Sequence, residues 1–262
     1  MRLAPRVASI EVGDGMASAA RPIHFLHDSR VLARMLGIEI PCCDAVAMPA
    51  EGPAKPFLAA VDANPCSDGF LLDLDAPSDR FLCYSGSMSD DLFADEPRNW
   101  MPQGQARLQE FLDETAPALK ARKRILCLRP HWRHALGDLP SCVRFVRERI
   151  TADPTSPFEL CFSPTELLAP SMLQPTEALE EHLRRSFGHL GSVASCVLLA
   201  DFRPPDAPES EAPVELLPLG SGGLPRALTL SLLDAFVPAS TPLLLLSRGR
   251  IEEQRAWLTP MA

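Results

Sequence analysis

The chain has 262 residues, 46% of them hydrophobic and 23% charged, with a net charge of −9. That length supports one large core and is typical of a single (β/α)₈ barrel, and the charged fraction excludes global disorder. The acidic balance and the lack of a basic stripe argue against a nucleic-acid partner.

No uncharged stretch approaches the roughly 20 residues of a membrane helix, and Met1–Glu11 has no apolar signal-peptide core. The expectation is a soluble, cytoplasmic protein with no membrane partner. Eight cysteines occur without a CxxC pair, so the common zinc and thioredoxin spacings are absent. Cys42, Cys43, Cys83, Cys127, Cys161 and Cys196 lie in apolar runs, where a free thiol acts as a small buried hydrophobe. This pattern fits a reducing compartment better than a disulfide framework.

Apolar runs alternate with amphipathic segments, the pattern of βα units around a largely parallel sheet. In chain order, strands are predicted at Val7–Val12, Ile38–Met48, Phe70–Asp73, Arg80–Ser85, Ile125–Leu128, Phe158–Phe162, Val193–Ala200 and Leu243–Leu246. The third and fourth are too close for an intervening helix, so they form a hairpin or one is not a strand. Pro97–Pro102 reads as a loop. Gln103–Lys120 is predicted as a helix burying Leu108, Phe111, Leu112, Thr115 and Leu119, with Pro117 kinking or interrupting it. The basic run Lys120–Arg124 then complements the negative end of the helix dipole.

Leu139–Ile150 is a second helix, with Pro140 in its first turn and Val143, Val146 and Ile150 inward. Thr176–Phe187 is a third, with Thr176 as N-cap and acidic-to-basic i,i+4 pairing toward Arg184 and Arg185. Asp201–Pro213 reads as an exposed loop. Pro225–Phe236 is a helix burying Leu228, Leu232 and Phe236, and Ile251–Leu258 closes the chain. The fold class is therefore an α/β (β/α)₈ TIM-type barrel in one domain over residues 1–262, irregular or incomplete in its N-terminal third.

Five segments carry a family likeness: RILCLRPHW (Arg124–Trp132), FELCFSPTELL (Phe158–Leu168), VASCVLLADFR (Val193–Arg203), LLPLGSGGLPRALTLSLLDAF (Leu216–Phe236) and TPLLLLSRGR (Thr241–Arg250). From about Arg80 onward the chain resembles the sugar phosphate isomerase/epimerase family of xylose isomerase-like barrels. The PLGxG loop before a helix is the most specific element. The resemblance implies an isomerase or epimerase whose divalent metal is held at strand C-termini. Here the ligand positions of that family read Arg129, Ser163, about Leu198 and Ser247. A guanidinium cannot ligate a cation and hydroxyls are poor substitutes, so no metal and no other cofactor is expected.

The candidates for the barrel mouth follow from the same segments. Arg129, His131, Ser163, Arg203 and Ser247 are ligand-binding candidates, because residues just past barrel strands face the active-site end. Arg129 offers a fork of donors to a phosphate or carboxylate, or else it pairs with Glu166 or Asp201. Glu166 and Asp201 are the acid/base candidates, with ion pairing to Arg129 or Arg203 as the alternative. Tyr84, Ser85 and Ser87 end another strand toward the same mouth. His131 and His134 form an HxxH that is weak as a metal motif. Gly220–Gly223 either exposes amides to an anion or only turns the chain. Two readings stand: an isomerase/epimerase-like barrel without the metal site, and a non-catalytic descendant that binds a ligand or partner. A sugar or phosphorylated small molecule is the expected ligand. The sequence leaves substrate and oligomeric state open.

Overall fold

The computed structural model describes residues 21–28, 45–49, 58–61, 64–67, 72, 74, 78–204, 214–246 and 250–259. Eight strands close a barrel: β1 Ile23–Asp28, β2 Ala45–Pro49, β3 Leu58–Val61, β4 Arg80–Tyr84, β5 Ile125–Arg129, β6 Phe158–Phe162, β7 Cys196–Leu199 and β10 Leu243–Leu246. A short antiparallel arm, β8 Asp201–Phe202 with β9 Leu216–Leu217, extends from the end of β7.

The neighbours β3 to β7 are parallel in chain order, β10 joins β7 in parallel, and β1 joins β10. The predicted parallel order of the four apolar runs from Ile125 to Leu246 is observed. The N-terminal third departs from a regular barrel, because β2 runs antiparallel to both β1 and β3. Two strands, β1 and β3, were not anticipated, since IHFLHD and LAAV carry no long apolar run. Val7–Val12 lies outside the described residues, as does Phe70–Asp73 apart from Leu72. The hairpin option fails for β4, whose partners β3 and β5 are both parallel to it.

The β-strand period of two sorts the core into two layers. Leu126, Leu128, Leu160, Phe162, Val197, Leu199, Leu243 and Leu245 pack outward with helix residues such as Leu108 and Phe187. The alternate residues Leu82, Cys127, Cys161, Cys196, Leu198, Leu244 and Leu246 fill the barrel interior. The six described cysteines are free and buried; Cys42 and Cys43 lie outside the described residues.

Among the described residues five helices surround the sheet: α1 Pro102–Arg122, α2 Leu139–Phe145, α3 Thr176–Leu190, α4 Arg226–Phe236 and α5 Ile251–Leu258. Helix α1 stays continuous through Pro117, which is exposed, and it ends at Lys123 with φ 54°. Helix α2 opens with a reciprocal capping box between Asp138 and Ser141 and runs into a wider turn, Val146–Thr151. Thr176 is the first helical residue of α3, not its cap, and the Glu180–Arg184 pair forms at 2.7 Å. Phe236 is 40% exposed, so α4 buries Thr229, Leu232 and Leu233 instead. Pro97–Trp100, expected as loop, is a 3₁₀ turn that carries the buried Asn99. Among the described residues no helix is long and apolar enough to cross a membrane.

Candidate functional site

The C-terminal ends of β4, β5 and β6 bring Tyr84, Arg129 and Ser163 together with the two loops that follow β5 and β6. Arg129 lies two residues past the interior Cys127, and Ser163 two past Cys161, so both keep the inward parity of their strands. Arg129 is 8% exposed and Glu166 3%. The Arg129 Nε donates to Glu166 Oε2, and the Tyr84 hydroxyl donates to Glu166 Oε1 at 3.0 Å. The guanidinium carbon sits 4.5 Å from the centroid of the Tyr84 ring. Burial opposes the positive charge of Arg129, but Glu166 and Tyr84 outweigh it and raise the guanidinium above its ordinary pKa. The terminal Nη1 and Nη2 of Arg129 have no hydrogen-bond partner among the described residues. Arg129 is thus charged and fixed at one edge, with the other edge of the fork open.

Ordered loops hold this arrangement. Trp132 N–H donates to the Glu166 carbonyl at 2.8 Å, which ties the loop after β5 to the loop after β6. Asn99 receives the Met88 N–H and donates to Ser87 Oγ and the Arg133 carbonyl. Asn64 does the same service for the other side, accepting from Ser87 N–H and donating to the Ser87 and Ser89 carbonyls. Ser85, expected near the mouth, accepts the Leu136 N–H. Sequence reading missed Asn64, Asn99 and Phe93, because nothing local distinguishes a loop asparagine that organises a neighbour from one that does not.

His131 and His134 pack with Tyr84 and Phe93 into one aromatic group. The two imidazole centroids are 4.7 Å apart, Tyr84 lies 5.0 Å from His134, and Phe93 lies 5.1 Å from His131. Burial, then the charges of Arg129 and Arg133, push His131 down to about 3. Burial foremost, with His131 and Arg129 behind it, also holds His134 well below the ordinary histidine value. Both rings are neutral near pH 7. His131 Nδ1 accepts the Arg133 N–H at 3.2 Å, which assigns its proton to Nε2. His134 Nε2 lies 2.9 Å from the Leu92 carbonyl, so its proton is also on Nε2 and Nδ1 is a bare acceptor.

Asp201 does not join Arg129. Its Oδ1 accepts the N–H groups of Phe202 and Leu224 at 2.9 and 2.7 Å, and its Oδ2 those of Gly220 and Gly222 at 3.1 and 2.8 Å. A carboxylate has about four lone-pair positions, and here each meets a backbone donor. Of the two pairings open to Arg129, the one with Glu166 forms, and Asp201 bonds backbone amides instead. Residues Cys196, Leu198 and Ala200 take the interior parity, so the next residue turns away from it. The Gly220–Gly223 loop does expose amides to an anion, and the anion is Asp201. Gly220 has φ +81°, and a Cβ on Gly222 would come within 2.0 Å of the Phe202 carbonyl, so both positions suit glycine. Arg203 pairs with Glu215 at 2.6 Å beside the β8–β9 arm, with both side chains exposed. Ser247 lies outside the described residues.

The divalent metal implied by the family resemblance does not fit these residues. Arg129 puts a fixed positive charge where a ligand would stand, and its partner Glu166 is engaged on both oxygens. Ser163 contributes one hydroxyl, and Leu198 lies among apolar neighbours in the barrel interior. Like charges in a partly desolvated site repel more strongly than in water.

Neither a protein-family model nor a curated protein matches the chain. Solved structures do show a likeness. A xylose isomerase domain protein from Planctomyces limnophilus is 13% identical with a TM-score of 0.43, covering 69% of this chain and 56% of that one. A xylose isomerase-like TIM barrel protein from Mycobacterium smegmatis, in complex with magnesium, is 12% identical with a TM-score of 0.42, covering 69% and 60%. Endonuclease IV from Thermus thermophilus is 16% identical with a TM-score of 0.43, covering 69% and 62%. The chain thus matches less than two thirds of the length of each. At this distance nothing about metal, substrate or activity passes from them to this chain; its structural neighbours are xylose isomerase-like TIM-barrel proteins at low identity.

Proposed function

We propose that this protein is a ligand-binding barrel of the sugar phosphate isomerase/epimerase type that holds a small anion, a phosphorylated sugar foremost, without the divalent metal of that family. The observation that carries the reading is Arg129. Glu166 and Tyr84 fix its Nε edge and its face, while both Nη groups keep their donors unspent. The Nε2–H of His131 also makes no hydrogen bond to the described residues. Planar, charged, pre-oriented donors suit bidentate recognition of phosphate or carboxylate. Preorganisation of this kind lowers the entropy lost on binding.

The reading sets proton transfer aside. Glu166 would have to release Arg129 and Tyr84 before taking a proton, and Asp201 would have to release four amides. Titration calorimetry with inorganic phosphate and a panel of phosphorylated sugars tests the proposal. Saturable binding that Arg129→Lys weakens about tenfold or more is expected, since lysine lacks the fork. Binding left unchanged by Arg129→Lys and Arg129→Ala, in protein that retains its circular dichroism, sinks the anion role. Turnover of an aldose or ketose phosphate that Glu166→Gln abolishes would restore the catalytic alternative.

A further inference from the structure

The groups assembled at the mouth are shut in: Arg129, His131, His134 and Glu166 are all buried. The segment between β4 and α1 that lies against them is not. None of residues 90–95 is buried. The half-exposed Phe93 ring packs on three members of the group, with centroids 5.2 Å from Tyr84, 5.1 Å from His131 and 5.4 Å from His134. A half-exposed ring packed on buried ones stands on their solvent side, so Phe93 is part of what covers them.

Both ends of this segment are pinned. Asn64 donates to the Ser87 and Ser89 carbonyls at 2.8 and 2.9 Å, and Asn99 accepts the Met88 N–H at 2.7 Å. At the far end Glu96 caps the 3₁₀ turn that carries Asn99. Between the pins, two hydrogen bonds cross to the loop after β5. Arg133 Nη1 donates to the Phe93 carbonyl, and His134 Nε2 donates to the Leu92 carbonyl at 2.9 Å. The others are local: Asp91 N–H to Ser89 Oγ, Phe93 N–H to Asp91 Oδ1 and Ala94 N–H to the Asp91 carbonyl. Local bonds survive when a segment moves as one piece. A segment with few buried contacts and self-contained hydrogen bonds belongs to the part of a fold that opens most readily.

We propose that residues 89–95 form a strap that closes the barrel mouth and swings out on its pinned ends, breaking the Arg133–Phe93 and His134–Leu92 hydrogen bonds and lifting the Phe93 ring. Loops of this kind admit a ligand and then shut water out. What enters past the strap rests on the anion reading above; the opening itself does not.

His134 reports the motion without any ligand. Its Nε2 is held by a strap carbonyl and its Nδ1 is bare, so an exposed, neutral His134 is a nucleophile toward diethyl pyrocarbonate at pH 7. Carbethoxylation of the wild-type protein, mapped by mass spectrometry, is followed across urea concentrations below the unfolding transition. The expected rate at His134 is measurable and flat in urea, because a local opening exposes little new surface. No labelling, or labelling that climbs with urea in step with global unfolding, overturns the strap. Phe93→Ala is expected to speed labelling of His134 by about fivefold or more, since it removes the aromatic contacts that hold the cover down. The exposed His189 of α3 serves as the unchanged reference. Equal His134 rates in the wild type and Phe93→Ala also overturn the strap, and if that variant fails to fold, the wild-type urea series decides. Labelling as expected without phosphate binding in calorimetry keeps the strap and removes the anion reading. Phosphate binding with His134 shut at every urea concentration does the reverse.

Discussion

Glu166 and Asp201 follow neighbouring strands of one barrel, are both buried, and carry the same functional group, yet they end in opposite employment. At the β5–β6 side, Glu166 meets side chains: the Arg129 guanidinium and the Tyr84 hydroxyl. At the β7–β9 side, Asp201 meets four backbone N–H groups from its own neighbour and the glycine loop. The first arrangement leaves a charged fork facing the mouth. The second uses up its carboxylate and fixes a loop. What separates them is the supply of local donors, since a glycine-rich turn brings several amides to one point and a strand end brings few.

The largest effect expected from breaking this contrast is at Glu166. Glu166→Ala leaves a buried guanidinium without its counter-ion and should cost about 3–5 kcal/mol in urea melts. Replacing both members, Arg129→Met with Glu166→Leu, should recover most of that loss. A double variant as unstable as Glu166→Ala alone would show that the pair matters for more than its charge balance.

Asp201→Ala should come next, at roughly 3 kcal/mol, because hydrogen bonds to a charged group contribute about 1.5–3 kcal/mol each and are not additive. Its signature is local. Amide exchange should quicken at Gly220, Gly222 and Leu224, while phosphate affinity at Arg129 is retained. Loss of phosphate binding in Asp201→Ala, with the global fold intact, would join the two regions into one site.

Acid should destabilise the mouth through its buried histidines. His131 is held near 3 in the folded protein against 6.5 ordinarily, and His134 shifts in the same direction. The unfolded chain therefore binds more protons than the folded one between about pH 6.5 and pH 3. The stability contributed by the neutral rings is complete above 6.5 and is lost as pH falls through that window. The slope is about 1.4 kcal/mol per pH unit for His131 alone. Urea melts at pH 7 and pH 5 should show a larger drop for the wild type than for His131→Gln. Equal drops would mean that His131 is not buried as a neutral ring.

The smallest effect is a gain. Ser163→Ala removes a buried hydroxyl that finds no partner and should stabilise the protein by about 1 kcal/mol, a rise of roughly 2–4 °C in Tm. A fall in Tm would mean that the hydroxyl is satisfied in solution.

Much of the barrel was legible from the chain because a buried parallel strand must be apolar on both faces. The runs ILCLR, FELCF, CVLL and LLLL could hardly be read otherwise. Strands β1 and β3 escaped notice because IHFLHD mixes polar residues into its period and LAAV is short and small. The reversed β2 escaped too, since an apolar run carries no sign of its direction. Pro117 misleads in the other direction: a proline deep in a helix removes one hydrogen bond, but on an exposed face the helix can run on through it.

The sequence by itself determined the α/β alternation and the helix faces around Leu108 and Leu232, which are properties of residue type and spacing. That Arg129 and Ser163 stand at ligand positions is what the family resemblance implies. Only the tertiary structure decided that Glu166, and not Asp201, closes on Arg129, and that His134 Nδ1 and Ser163 Oγ are buried without a partner. Partner choice depends on which loops meet across residues far apart in the chain, and a carboxylate takes whichever donors the fold delivers to it first.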